Sequence, residues 1–335
     1  MAVVAVTSPL PGTGLERLAA AHEVRRHPRG SPLEPAELAA FAADADALVT
    51  LLSDRVDAAV FAACPALKVV ANVAVGVNNV DLEAARAAGV WVTNTPDVLT
   101  EATADFTMAL LLAVTRRLVE GDRVVRAGAF TGWRPDYMLG VGLQGRVLGI
   151  VGLGRIGRAV ARRALVFGMT VHAHDPAPPA GPGLPVTLFS SLDAMLPTVD
   201  VLTLHCPLLP ATRRLIDARR LALLPRGAYL VNASRGEVVD EAALVAALER
   251  GHLAGAALDV YEREPEVHPG LPGRDDVVLA PHLGSATRET RAAMVDLAID
   301  NVLAVLAGRR PPTPVVEPGE RGPGTGDRGP GTEGR

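Results

Sequence analysis

Lysine is nearly absent from this chain. Of 33 basic residues only Lys68 is a lysine, and 37 Asp and Glu leave a net charge of -4. With a pI near 6.1, no basic surface is advertised, so neither nucleic acid nor an anionic membrane is an expected partner. Cysteine is scarce as well. Cys64 and Cys206 lie too far apart in sequence for a metal-ligand pair and are too few for a disulfide framework, so no metal is expected. Long apolar runs are missing: "FTMALLLAVTRRL" is too short for a bilayer and flanked by charge. The start, "MAVVAVTSPLPGTG", lacks the basic region and long apolar core of a signal peptide, and a cytoplasmic place is the expectation.

What is present is a repeated alternation. The 335 residues suffice for two domains. In the first hundred, "VVAVTS", "DALVTLL", "LKVVANVAV" and "VWVTN" read as strands separated by helical patterns. After a helix predicted over about 100–118, a second series begins, with strands at "RVLGIV", "TVHAHD", "DVLTLHC", "AYLVNAS", "GAALDV" and "VVLAP". Apolar strands alternating with helices imply parallel sheets covered on both faces, so an α/β class with two doubly wound units is expected, the second six-stranded. A helical pattern runs over about 285–307, and the Pro/Gly-rich end, 316–335, reads as disordered.

Between "RVLGIV" and a helical stretch stands "VGLGRIG", in which Gly152, Gly154 and Gly157 spell G-x-G-x-x-G. The first glycine permits a tight turn, the second close approach of a pyrophosphate, and the third close packing of helix on strand. The helix N-terminus attracts phosphate. Asp175 ends the next strand 18 residues after Gly157, where a carboxylate accepts hydrogen bonds from a ribose. A carboxylate there repels a 2'-phosphate, and "HDPAPPAG" brings no basic residue, so NAD is favoured over NADP.

Three ionisable residues follow later strands: Arg235 in "VNASRGEVVD", Glu264 in "LDVYEREP" and His282 in "LAPHLGSAT". Ligands of open α/β sheets bind beyond the carboxyl ends of the strands, where these three can converge. In order and spacing they resemble the catalytic triad of the D-isomer-specific 2-hydroxyacid dehydrogenases. Together with "VAVGVNNVDL", "NTPDVLTEATAD", "GLQGRVLGIVGLGRIG" and "PHLGSAT", they are most similar to the glyoxylate/hydroxypyruvate reductase branch of that family.

The resemblance implies a Rossmann-like NAD domain over 99–285, inserted in a substrate domain made of 1–98 and 286–315, and a homodimer. It implies reduction of a small 2-keto acid, with Arg235 clamping carboxylate and carbonyl oxygen, His282 moving the proton and Glu264 orienting His282. It further implies cofactor contacts at Thr103, Arg155, Ile156, Cys206, Ala233, Ser234, Asp259, Gly284 and Ser285. Val75 and Gly76 match a loop whose N–H groups hold the substrate carboxylate, and Leu51 an apolar wall beside it. Cys206 stands where relatives commonly have Thr, and Tyr137 lies where some reductases send an aromatic ring into the partner's site. Asp259 can equally be a capping residue. Two alternatives stay open: another member of the family, such as D-3-phosphoglycerate dehydrogenase, and an NAD-binding corepressor that keeps the triad.

Overall fold

A computed structural model describes residues 1–28, 32–178 and 183–318. They divide into two compact units, Met1–Val98 with the chain from Arg291 onward, and Leu99–Thr290. The second crossing falls inside the helix Arg288–Leu306, a few residues past the expected 285/286.

In the first unit the strands are β1 (Val3–Val6), β2 (Glu23–Arg26), β3 (Ala47–Thr50), β4 (Val69–Asn72) and β5 (Trp91–Thr93). Strands β3 and β4 are buried at every position, as expected where helices cover both faces of a parallel sheet. The intervening helices are capped by their own sequence: Asp57 accepts from the N–H of Ala59 and Val60, and Asp81 from that of Ala84. Leu38, Leu48, Val60, Val70 and Val92 form part of the core.

The second unit contains β6 (Val147–Val151), β7 (Thr170–His174), β8 (Val186–Leu188), β9 (Val201–Leu204), β10 (Ala228–Asn232), β11 (Leu253–Leu258) and β12 (Val277–Leu279). All pairings are parallel, in the order β12-β11-β10-β9-β6-β7-β8. The chain leaves β6 toward β7 on one side and returns to β9 on the other, so the strand order reverses between β6 and β9. In open sheets that reversal is where a ligand crevice forms. Alternating residues feed two cores, Leu202 and Leu230 on one face, Ile150 and Val201 on the other.

Three expectations are corrected. The second sheet has seven strands, not six; the additional strand, β8, has half-buried or exposed residues and carries no apolar alternation. The helix expected over 100–118 stops at Thr115, and Arg117, at φ 54°, turns the chain into a separate helix, Leu118–Arg126. The tail expected from residue 316 begins too early. Val316 belongs to β13 (Pro314–Val316), pairs antiparallel with β5 and is 1% exposed. The first sheet therefore runs β13-β5-β4-β3-β1-β2. The rest of the expected tail, from residue 319, lies outside the described residues. Among the described residues no helix is long and apolar enough to cross a membrane.

Candidate active site

The glycine turn leaves β6 at the point where the strand order reverses. Gly152 has φ +92°, and a Cβ there would stand 2.7 Å from the Cys206 N and 2.8 Å from the His205 carbonyl at the end of β9. Only glycine fits both the conformation and the space. At Gly157 a Cβ would collide with the Gly152 carbonyl, so helix and turn pack directly. Gly154, in contrast, faces open space and caps the helix Arg155–Val166 with no side-chain hydrogen bond. Its unfilled approach and the N–H groups of the first helical turn form a cradle that fits a pyrophosphate. Arg155 is exposed on that turn, while Ile156 packs on the core.

Asp175 follows β7 and ties this turn to the second strand. Its Oδ2 accepts from the Leu153 N–H at 2.7 Å, and its Oδ1 from that of Ala177 at 2.9 Å. Cys206 is buried, and burial raises its thiol to about 11, so it stays a neutral wall. Beside it, His205 Nε2 meets Thr203 Oγ1 at 2.9 Å, and burial drives the imidazole down to about 3. Among the described residues its Nδ1 is buried with no partner.

After β10, Asn232 folds the loop that carries Ala233, Ser234 and Arg235. Its Oδ1 accepts from the Ser234 N–H and Oγ, and its amide donates to the Arg235 carbonyl at 2.9 Å. The Arg235 guanidinium donates to the Ser234 carbonyl at 2.7 Å. Burial lowers its pKa, and the nearby charges of Glu264 and Glu237 oppose that fall.

The loops after β11 and β12 bring Glu264 and His282 together. His282 Nδ1 lies 3.0 Å from Glu264 Oε2, and Glu264 Oε1 accepts from the Tyr261 N–H at 3.1 Å. Burial pushes the Glu264 carboxyl up, but the hydrogen bond and charge of His282, the Tyr261 N–H and Arg235 outweigh it, leaving the carboxyl below its usual range. His282 itself sits at φ +57°, and Asp259 holds it there. The Asp259 carbonyl accepts from the His282 N–H at 2.9 Å, while its two carboxylate oxygens take the N–H groups of Leu283 and Gly284 at 2.6 and 2.8 Å. Both oxygens of Asp259 thus serve the His282 loop, the capping role left open by the sequence. A Cβ on Gly284 would lie 3.2 Å from Asp259 Oδ2 and 3.4 Å from Thr103 Cγ2, so these three are neighbours. Ser285 follows, half-buried.

Three supports escaped the sequence reading: Asn232, Tyr261 and Glu241. The Tyr261 hydroxyl donates to the Ala280 carbonyl at 2.9 Å, and burial raises it to about 12. Glu241 accepts from the Glu262 N–H at 2.8 Å. Tyr261 and Glu241 each meet a partner on the loop after another strand, a relation no sequence spacing reveals, whereas Asn232 bonds within its own loop, where an asparagine reads as a turn residue.

In the first unit, Leu51 follows β3, and Val75 and Gly76 follow β4. Here the backbone is held by side chains not singled out in the sequence. Asn72 donates to the Gly76 carbonyl at 2.9 Å, and Asn94 to that of Val75 at 2.8 Å. Asn79 donates to the Leu51 and Asp54 carbonyls at 3.0 and 2.9 Å. Val75 is 37% exposed, so this loop faces outward from its sheet.

Comparison with known proteins gives a consistent set of likenesses. Residues 108–284 match the family model described as D-isomer specific 2-hydroxyacid dehydrogenase, NAD binding domain. The chain is 45% identical to a glyoxylate reductase of Thermococcus kodakarensis, over 92% of this chain and 95% of that one. The glyoxylate reductase of Aeropyrum pernix is also 45% identical, over 92% and 94%. A crystal structure of a Thermus thermophilus protein superposes with TM-score 0.88 at 50% identity, covering 94% of this chain and 100% of that one. An NADPH-dependent glyoxylate/hydroxypyruvate reductase from Sinorhizobium meliloti, in complex with NADP and malonate, gives TM-score 0.85 at 38% identity, covering 94% and 96%.

Proposed function

Because this chain belongs to the D-isomer-specific 2-hydroxyacid dehydrogenases and is an oxidoreductase of that family, we propose that it reduces glyoxylate and hydroxypyruvate with NADH. The products are glycolate and D-glycerate. The single observation that carries the assignment is the His282–Glu264 pair at 3.0 Å, set at strand ends of the unit that bears the glycine turn. A bound reduced nicotinamide supplies the hydride.

The residues supply everything else. With Nδ1 turned to a carboxylate, His282 keeps Nε2 for the proton that the developing alkoxide takes up; an imidazole suits a group that serves as acid in one direction and base in the other. Glu264 fixes the orientation of the ring through its Nδ1. Arg235 offers a planar fork of donors for carboxylate and carbonyl oxygen, a geometry lysine cannot give. The loop of Val75 and Gly76 receives the carboxylate through its N–H groups, with Leu51 as an apolar wall. Thr103, Arg155, Ile156, Cys206, Ala233, Ser234, Gly284 and Ser285 surround the dinucleotide, and Asp175 takes the adenosine ribose and disfavours a 2'-phosphate.

We also infer a homodimer. The helix Leu118–Arg126 buries none of its residues. Leu118 and Val125 are each 63% exposed, and Trp133 is 82% exposed. So much apolar surface in one stretch supports a covering copy. In the same stretch the Tyr137 ring lies 6.3 Å from that of Phe130 and beneath the Arg134 guanidinium. Sedimentation of the purified protein tests the dimer, and a monomer at micromolar concentration overturns it. For the reaction, 2-keto acids are assayed with NADH and with NADPH by loss of nicotinamide absorbance. Turnover of glyoxylate and hydroxypyruvate, faster with NADH, is expected. Turnover of neither refutes the substrate assignment, and equal use of both cofactors refutes the role of Asp175.

A further inference from the structure

The first unit ends its strands in a net of side chains that the reaction as proposed does not use. The Asn72 and Asn79 amides face each other, Asn72 Nδ2 donating to Asn79 Oδ1 at 3.1 Å and Asn79 Nδ2 to Asn72 Oδ1 at 3.2 Å. Asn72 Oδ1 also accepts from Thr50 Oγ1 at 3.1 Å. Asp54, 2% exposed, accepts from the Leu51 N–H at 2.8 Å and from Thr7 Oγ1 at 2.5 Å. The residues after β1, β3 and β4 are thereby joined into one hydrogen-bonded layer, and Asn94 joins it from the end of β5 through the Val75 carbonyl.

The carbonyls this net selects matter most. Asn94 holds the Val75 carbonyl and Asn72 holds that of Gly76. These are two consecutive peptide units, Val75–Gly76 and Gly76–Val77. In a trans peptide the carbonyl and the N–H point opposite ways, and the one cis bond among the described residues is Glu264–Pro265. Fixing the two carbonyls inward therefore aims the Gly76 and Val77 N–H groups away from the asparagines. Among the described residues neither of these N–H groups has an acceptor. Two adjacent N–H groups turned the same way make an anion-binding concavity. A donor on each carbonyl polarises the peptide and strengthens its N–H.

We propose that Asn72, Asn79 and Asn94 are positioning residues that preset the Gly76 and Val77 N–H groups as the receiver of the substrate carboxylate. The proposal rests on the assignment of the Val75–Gly76 loop to that carboxylate. Asn94 acts on one peptide, Asn72 on the next, and Asn79 holds Asn72 in place while tethering Leu51. Preorganisation of this kind lowers the cost of binding an anion, because the donors need no reorientation when it arrives.

The experiment compares Asn94→Ala, Asn79→Asp and Gly76→Pro in the full-length protein, measuring KM and kcat for glyoxylate, the Kd of NADH and the melting temperature. Asn94→Ala removes a single hydrogen bond, so KM should rise about fivefold with kcat nearly constant and NADH affinity unchanged. Asn79→Asp keeps the size but sets an oxygen against the Leu51 and Asp54 carbonyls, so KM should rise further and the melting temperature should fall. A merely structural asparagine would lower the melting temperature and leave KM alone. An unchanged KM in Asn94→Ala overturns the positioning role. Gly76→Pro deletes one N–H while all three asparagine side chains stay present, and so separates the two ideas. If it raises KM while Asn94→Ala does not, the carboxylate loop stands and the preset fails; if neither raises KM, the loop assignment falls as well.

Discussion

The strand ends of the unit Leu99–Thr290 carry charged side chains, Arg235, Glu264 and His282, each held by backbone or by another side chain. The strand ends of the other unit carry amides, Asn72, Asn79 and Asn94, which hold backbone. In one sheet the backbone positions side chains; in the other, side chains position the backbone. Proton transfer and a charged clamp need groups that only side chains offer, whereas an anion that merely docks is satisfied by peptide N–H groups. Substitutions at the proton-transfer residues should therefore act on kcat, and substitutions at the amides of the other unit on KM for the keto acid.

The sharpest test of that contrast is His282→Ala. Loss of the acid should lower kcat by about a hundredfold to ten-thousandfold while the Kd of NADH stays where it was. A KM effect with kcat intact would erase the distinction between the units. The next largest effect concerns the fold of the first unit. A chain ending after Thr313 loses β13 and the buried Val316. Burial of one valine is worth about 1.5–3 kcal/mol, so the melting temperature should drop by roughly 5 °C. A chain ending after Pro318 sheds only the Pro/Gly-rich remainder, whose composition gives little to bury, and should melt as the full chain does. Equal melting of the two truncations would show that β13 contributes nothing.

Asp175→Ala comes third. On the proposed role of Asp175, removing the carboxylate removes a repulsion toward a 2'-phosphate, so the proposed kcat/KM preference for NADH over NADPH should shrink about tenfold. The same change frees the Leu153 N–H that Asp175 now accepts at 2.7 Å. NADH should therefore also bind somewhat more weakly, with kcat little changed. A preference that survives the substitution would move cofactor choice to another residue.

How much of this was legible in the sequence follows the same divide. The glycine turn, Asp175 and the charged triad are chemically distinctive residue types at fixed distances from apolar strands, and the structure sets Glu264 and His282 in direct contact. Strand alternation gave both sheets their parallel interiors, since β3, β4 and β9 are buried throughout. The edges were not legible. In β2, "EVRR", no residue is fully buried, β8 is half in solvent, and β13 lies in a Pro-rich stretch where only Val316 reaches the core. Edge strands are fixed by a neighbour on one side, and their own residues carry little of the pattern. Asn72, Asn79 and Asn94 stayed hidden for a different reason. Asparagine in a loop ordinarily signals a turn, and only the register of three strand ends shows that these amides face carbonyls.

The smallest effect is the most discriminating, because it separates orienting from acid–base work within the triad. Glu264→Gln keeps the side-chain shape and removes the anion 3.0 Å from His282 Nδ1. The ring then loses a charge-assisted partner but keeps a hydrogen-bonding one of the same shape. At neutral pH the loss in kcat should stay under about tenfold, far from the His282→Ala effect, and the Kd of NADH should not move. The wild type adds a second signature. Its Glu264 carboxyl is held below the usual range, with the His282 hydrogen bond and charge overcoming burial. A carboxyl depressed in the folded state contributes stability that is complete above its unfolded value and is lost as pH falls through the folded one. The wild type should therefore lose stability relative to Glu264→Gln only below the ordinary glutamate range, in melts run from neutral to acid pH. If the Gln variant kept the kcat and the acid melting profile of the wild type, Glu264 would be a spacer, and Arg235 and His282 would carry the chemistry between them.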